Sequence, residues 1–372
     1  MIYADNAATT KLDVEAFEAM RPFLLEEYGN ASQPYSFSRS AKKALRDARS
    51  TIASCIGASA EEIYFTSGGT ESDNWAIKGL MRPGDTQLTI TSQIEHHAVL
   101  NACASVERMG FSVRYLPVGR EGIVEAESLQ ASVSDQTRLV SVMLANNEIG
   151  TVEPVSALAE IAHKHGALFH TDAVQAVGHI PVDVKTLGVD LLSASGHKFN
   201  GPKGVGFLYI KKGTGIRPYA DGGGQEFGIR AGTENVASIV AMACALRKNC
   251  DRMTAVSERL SRMEYSFFHT LNQSGVDYIR NGADNHIPGN ISISIRDASG
   301  ESLLHRLDLK GIYISTGSAC DSVNTQVSHV IRVIGVPKEY AQGTIRISFG
   351  ADNAESDASE VAMALIEILK KQ

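Results

Sequence analysis

The sequence predicts an α/β fold in two parts, a large, mainly parallel α/β domain followed by a smaller C-terminal α+β domain. Three observations carry that expectation. Between about residues 60 and 212, short apolar runs alternate with helical patterns, as they do when a parallel sheet is covered on both faces. Gly204–Ile210 (GVGFLYI) follows a Gly/Pro turn and reads as a strand pairing back. Past about residue 260, strands of period two and amphipathic helices take over.

In chain order, Ile63–Thr66, Gln87–Thr91, Leu139–Leu144, Ala167–Thr171 and Val189–Ser193 read as short buried strands, with a helix over Val155–His165 after Pro154. Asp221–Gln225 (DGGGQ) is a glycine-rich loop, and helical spacing begins at Asn235 and runs on past Cys250. Ile291, Ile293 and Ile295 alternate with Ser292 and Ser294 on one later strand; Ile345, Ile347 and Phe349 alternate with Arg346 and Ser348 on another. An amphipathic helix over about Ser356 to Leu369 closes the chain.

Composition narrows the function. The chain has 372 residues, 43% apolar and 21% charged, which fits a globular protein of two or three domains and excludes disorder and rod-like repeats. A net charge of −7 argues against direct nucleic-acid binding or an anionic membrane as partner. The apolar run Ala237–Leu246 falls short of the roughly 20 residues that span a bilayer. No basic and apolar leader precedes Asp5, so no secretory signal is expected. Five cysteines without a Cys-x-x-Cys pair point to a reduced, cytoplasmic setting and to no metal site.

Candidate chemistry gathers at the ends of the expected strands, where open α/β sheets hold their ligands. Ser67-Gly68-Gly69-Thr70 joins a strand to a helix; it is either an anion site or a plain turn with Thr70 as N-cap. His96, in Glu95-His96-His97, follows the strand QLTIT and reads as a stacking or proton-handling histidine, or as a satisfied loop residue. Asp172 ends ALFHT, with Gln175 three residues on, and Asn146-Asn147-Glu148 closes the preceding strand; each acid or amide is either a ligand partner or a helix cap. Ser195-Gly196-His197-Lys198 combines a lysine with two phosphate-seeking neighbours, a setting that suits a covalent lysine, although a lone turn lysine is ordinarily solvated. Cys320, in Gly317-Ser318-Ala319-Cys320, has the small-residue context of a reacting thiol, or is an incidental loop cysteine. Cys55, Cys103 and Cys244 read as small core residues, and His163, His165 and His179 as surface or core residues. Arg346 is a carboxylate clamp or a surface ion pair.

Taken together, a phosphate turn, a stacking histidine, an acid at a strand tip and a lysine at a later strand end describe a pyridoxal 5'-phosphate site. The ordered segments SGGTESDN, EHHAV, NNEIGT, HTDAVQAVG, SGHKFNGPKGVG, GTEN and STGSAC, with DNAATT near the start and RISFG near the end, resemble the cysteine desulfurases of the NifS/IscS type. Those enzymes belong to the class V aminotransferase group, fold-type I among PLP-dependent transferases. The resemblance covers nearly the whole chain, and GSAC is its specific part. On that scaffold the domains are expected at 15–255 and 256–372, with 1–14 packing against the smaller one.

The resemblance implies Lys198 as the cofactor-binding lysine and catalytic base, Asp172 as the partner of the pyridine nitrogen, Gln175 at the phenolic oxygen and His96 against the ring. It implies Gly69, Thr70, Ser195 and His197 around the phosphate, with Thr233 reaching the neighbouring subunit's phosphate in a homodimer. Asn147 and Arg346 would hold the carboxylate of L-cysteine, and Cys320 would receive its sulfur as a persulfide while L-alanine leaves. The sulfur would pass to an acceptor protein, an iron–sulfur scaffold or a tRNA-thiolation enzyme. Ala31, Gln33 and Tyr35 depart from the family's GNPSS-x-H pattern, and Asp321 puts a carboxylate beside Cys320. A selenocysteine lyase, or another PLP-dependent C–S lyase on the same scaffold, is the alternative, and it would not need Cys320.

Overall fold

The computed structural model describes residues 1–82, 87–316 and 327–371. Its strands, in chain order, are β1 (Ile2–Tyr3), β2 (Ile63–Thr66), β3 (Leu88–Ser92), β4 (Ser112–Leu116), β5 (Thr137–Ser141), β6 (Leu168–Asp172), β7 (Leu191–Ser195), β8 (Gly206–Ile210), β9 (Tyr278–Arg280), β10 (Asn290–Ile295), β11 (Ile312–Tyr313) and β12 (Thr344–Ser348). Seven of them form one sheet in the order β2-β8-β7-β6-β5-β3-β4. The pairs β7–β6, β6–β5, β5–β3 and β3–β4 are parallel, whereas β8 runs antiparallel to both β2 and β7. The strand expected to pair back is therefore β8, inserted between β2 and β7.

Two differences from the sequence reading have simple causes. The strand within the run Leu139–Leu144 ends at Ser141, although Val142 and Leu144 still donate to the carbonyls of His170 and Asp172 of β6 (3.1 and 2.8 Å). Their burial kept the run apolar past the strand's end. Strand β4 is an edge strand whose side chains alternate between exposed and half-buried until Leu116, so no apolar run announces it.

A second, antiparallel sheet has the order β12-β10-β9, and β1 pairs with β11. Ser292 and Ser294, which alternate with the isoleucines on β10, are buried as well. Asn281 Nδ2 donates to both hydroxyls, at 3.3 and 2.8 Å, so the alternation separates an apolar face from a hydrogen-bonded one.

Hydrophobic side chains gather in several cores, two of which meet along the longest helix. One lies between the seven-stranded sheet and the helices Arg39–Cys55, Val155–Lys164 and the first part of Val236–Asn272. The other joins Ile291, Ile293, Ile345 and Ile347 to Val361 and Leu365 of the last helix, each such side chain contributing about 1.5–3 kcal/mol by burial. The 37-residue helix Val236–Asn272 runs through both, giving residues from Ile239 to Leu246 to the first and from Leu260 to Leu271 to the second. Asn235 caps it through Ser238 N–H. Ile2 and Ala4 belong to the second core, which leaves the residues just after them between the two.

Candidate active site

The parallel strands deliver their C-terminal tips to one cavity of about 470 Å³. Asp172 ends β6, Ser195 ends β7, and the tight turn Gly196–Lys198 follows directly. Gly69, Thr70, His96, Asn147, Asp172, Gln175, Ser195, His197, Lys198 and Arg346 all line the cavity. The Gly68-Gly69 turn lies against β8: a Cβ on Gly206 would stand 2.7 Å from the Gly68 Cα, and Gly68 itself has φ +146°, a conformation that side chains rarely adopt. Gly68 is the N-cap of helix Gly69–Gly79 and no side chain caps it. Thr70 is thus inside the helix rather than its cap, and the first turn opens towards the cavity beside Ser195 and His197.

Lys198 is gripped by the N-terminal segment. Its Nζ donates to the carbonyls of Ala7 (2.7 Å) and Ala8 (2.8 Å), and Gln175 Nε2 donates to the Ala7 carbonyl as well (3.0 Å). His197 Nδ1 meets Thr9 Oγ1 at 3.1 Å, while the His197 carbonyl accepts from Thr10 N–H and its hydroxyl. From the other side, His179 Nε2 donates to the Lys198 carbonyl (2.8 Å), so this histidine supports the lysine turn. Burial, then the charges of Lys198 and Lys203, push His197 down to about 4, leaving it neutral near pH 7.

His96 caps the helix His97–Arg108, its Nδ1 accepting from Ala98 N–H. Burial, with Lys198 next, lowers it to about 4, so the proton of the neutral ring sits on Nε2. His97 stacks on His329, centroids 4.8 Å apart. His329 Nε2 donates to the Glu95 carbonyl (3.1 Å). The buried Glu95 side chain accepts at Oε1 from Ser92 Oγ (2.6 Å) and Met143 N–H (3.0 Å), and burial raises it to about 8.

Asp172 Oδ1 accepts from Val174 N–H at 2.9 Å. Burial raises its carboxyl to about 6, opposed by that hydrogen bond and by the Lys198 charge. Asp73, also buried and also at the cavity wall, is raised by burial and by Asp172. Its Oδ1 lies 3.7 Å from His170 Nε2, and His170 bridges Ser141 (2.8 Å) and Ser193 (2.9 Å). Burial holds His170 neutral, at about 3. A carboxyl in that setting favours a cationic N–H as ligand.

Arg346 is only 2% exposed, so the surface ion-pair reading is wrong. Its Nη2 meets Asp5 Oδ1 at 2.6 Å, and Nη1 donates to the Asn147 carbonyl at 2.9 Å. The result is a braced guanidinium at the cavity wall, suited to a carboxylate. Thr233 is not brought to this cavity; it lines an adjoining cleft of about 130 Å³ with Ser67, Gly204 and Arg230. Cys320, with Asp321, lies outside the described residues. Among the described residues no cluster of histidine, cysteine or acidic side chains could hold a metal ion, and no helix is long and apolar enough to cross a membrane.

Residues 2–361 match the family model for class-V aminotransferases. The chain is 48% identical to the cysteine desulfurase IscS of Dictyoglomus turgidum, over all of this chain and 95% of that one. It belongs to the class-V aminotransferase family, among the cysteine desulfurases. Solved desulfurase-like structures share its shape. A NifS-like protein superposes with a TM-score of 0.94 at 37% identity over the full length of both chains. SspA in complex with cysteine superposes with a TM-score of 0.84 at 33% identity, covering 94% of this chain and 99% of that one. The desulfurase chain is thus an enzyme of the fold-type I architecture, with the seven-stranded sheet as its large-domain scaffold.

Parts of this site had no sequence signal. The Ala7 and Ala8 carbonyls that hold Lys198 are backbone groups, which residue identity does not mark. Asp73 and His170 fall within the quoted segments SGGTESDN and HTDAVQAVG but had no individual signal there, and their placement near Asp172 and each other gives them a role.

Proposed function

We propose that this chain is a PLP-dependent cysteine desulfurase that takes sulfur from L-cysteine, releases L-alanine and holds the sulfur on Cys320. The observation that carries the proposal is the meeting of Lys198, Asp172 and His96 in one cavity with the Arg346 guanidinium.

The residues fit pyridoxal 5'-phosphate. The uncapped start of helix Gly69–Gly79, with Thr70, Ser195 and His197 beside it, suits a phosphate. The buried Asp172 suits a protonated ring nitrogen, Gln175 the phenolic oxygen, and neutral His96 the ring face. When bound, the cofactor supplies an electron sink for bonds at the substrate's α-carbon. Lys198 would anchor it and, once displaced by substrate, carry the Cα proton on Nζ; the Ala7 and Ala8 carbonyls keep that atom in place. Arg346, with Asn147 beside it, would receive the substrate carboxylate and fix which bond faces Lys198. The Cys320 thiolate would attack the substrate sulfur: an S–S bond forms, the C–S bond breaks, and two protons return to carbon, the one given up by the Cys320 thiol to Cβ and the one held on Lys198 to Cα. L-cysteine and one thiol thus become L-alanine and one persulfide, in balance.

Thr233, set apart from its own chain's cavity, supports a homodimer in which it serves the partner's phosphate. The persulfide sulfur would go to an acceptor protein, an iron–sulfur scaffold or a tRNA-thiolation enzyme, in the cytoplasm. We place the domain boundary near residue 255, inside the long helix, which the two cores along that helix support, and 1–14 with the smaller part, which Ile2 and Ala4 in the second core support for the start of that segment. The test is turnover of L-cysteine by the PLP-loaded protein under reductant. L-alanine and sulfide should form in equal amounts, and Lys198→Ala should abolish both; alanine formation at the wild-type rate by that variant would overturn the proposal.

A further inference from the structure

Glu71 is the third residue of helix Gly69–Gly79, in the turn that suits a phosphate, and it lines the Lys198 cavity. Its carboxylate is tied from two directions. Oε2 accepts from the N–H of Ser67 at 2.9 Å, one residue before the Gly68 cap. Arg230 closes a two-pronged pair with the same group, Nε on Oε1 at 2.8 Å and Nη2 on Oε2 at 3.1 Å. The two side chains are 10% and 23% exposed, so the pair is set into the protein rather than laid over its surface. Arg230 is itself held at the base of its loop, where Ala231 N–H donates to the Ala220 carbonyl (3.1 Å) and Tyr219 N–H to the Ile229 carbonyl (2.8 Å). It lines the adjoining Thr233 cleft, which shares Ser67 and Gly204 with the cavity.

A carboxylate at this place works against an anion site. The first N–H groups of a helix and its dipole attract negative charge, and Glu71 competes there with a phosphate. We propose that Arg230 is a positioning residue for the cofactor phosphate, acting through Glu71: it neutralises that carboxylate and holds it on the Ser67 N–H, so that the start of helix Gly69–Gly79 keeps its shape and its positive field for the phosphate. Burial disfavours a charged Glu71, but the hydrogen bonds from Arg230 and Ser67 outweigh it and hold the carboxyl below its usual range. Glu71 is therefore ionised near neutral pH, and its compensating cation is needed throughout. A guanidinium suits the task because its planar fork engages both carboxylate oxygens and fixes their direction, which an ammonium would not. This inference rests on the reading of the cavity as a pyridoxal-phosphate site and adds to it two residues which that reading leaves without a part.

The test compares two ligands of the full-length protein, pyridoxal phosphate and pyridoxal, which lacks the phosphate. Cofactor is stripped with hydroxylamine, each ligand is titrated back, and binding is followed by the absorbance of the bound ring. Arg230→Gln should weaken pyridoxal phosphate by about tenfold or more, because Glu71 is left as an uncompensated negative charge, and should leave pyridoxal unchanged. Removing both charges, in the double variant Glu71→Gln with Arg230→Gln, should bring pyridoxal phosphate back to within about threefold of wild type, since glutamine still accepts from Ser67 N–H. Should Arg230→Gln not fold, Arg230→Lys carries the same comparison, with a smaller loss expected and again for pyridoxal phosphate alone. Equal losses for the two ligands would make the pair a structural tie and overturn the proposal. So would wild-type affinity for pyridoxal phosphate in Arg230→Gln, or no recovery in the double variant; these results leave the reading of the site intact. Failure of the wild-type protein to bind pyridoxal phosphate would overturn that reading and this inference with it.

Discussion

The Nδ1 atom of His96 accepts a hydrogen bond from the backbone N–H of Ala98 at 3.1 Å, so one imidazole both caps a helix and forms a wall of the cavity. The two roles separate by substitution. Asparagine is a good N-cap and alanine is not. In chemical denaturation His96→Asn should stay close to wild type, whereas His96→Ala should lose about 1 kcal/mol. Both should lose about 10²-fold in kcat for alanine formation, since neither offers a ring or its proton.

Glu95 gives a pH signature. Its folded carboxyl, raised to about 8 by burial, holds a proton that an unfolded glutamate loses near 4.3. Between those values the folded state binds more protons, so the stability this group contributes is complete at low pH and is lost as pH rises through about 8. Glu95→Gln keeps the shape without the ionisation. Its thermal midpoint should fall less than that of wild type as pH is raised from about 6 to about 9, read by scanning calorimetry of matched samples.

Arg346 is braced by Asp5 and the Asn147 carbonyl, which fixes the plane of its guanidinium at the cavity wall. Lysine keeps the charge and loses the fork. Arg346→Lys should raise KM for L-cysteine by about tenfold or more while the bound cofactor's absorbance stays unchanged. An unaltered KM would remove Arg346 from substrate binding.

A buried ion pair anchors the loop that carries Thr233. Arg49 Nη2 meets Glu226 Oε1 at 2.7 Å, and Phe65 N–H donates to Glu226 Oε2 at 2.9 Å. Glu226→Ala leaves the guanidinium buried and unpaired, at a cost of about 3–5 kcal/mol. Urea denaturation should show that loss. Dialysis should show faster release of pyridoxal phosphate if Thr233 reaches the partner's cofactor.

Most of the polar site was legible because open α/β sheets put ligand groups at strand tips, and Asp172, Ser195 and Lys198 follow apolar runs that end abruptly. The N-terminal segment was legible only as a resemblance. Its contribution is the Ala7 and Ala8 carbonyls on Lys198, and backbone acceptors leave no trace in side-chain chemistry. Arg346 was ambiguous for another reason: alternation on β12 puts it opposite Ile345 and Ile347, but does not tell whether that face meets water or Asp5. Ser292 and Ser294 were open in the same way, since alternation sets them opposite the isoleucines but does not tell that Asn281 covers that face. Strand β4 was missed because an edge strand with exposed side chains has no apolar signature.

The most direct measurement of the central claim is the intact mass of the PLP-loaded protein after brief exposure to L-cysteine, beside Cys320→Ala. The account predicts one added sulfur on wild type, removable by reductant and matched by one L-alanine per chain, with no sulfur retained by the variant. Equal alanine or pyruvate from both proteins, with no sulfur held by either, would contradict it.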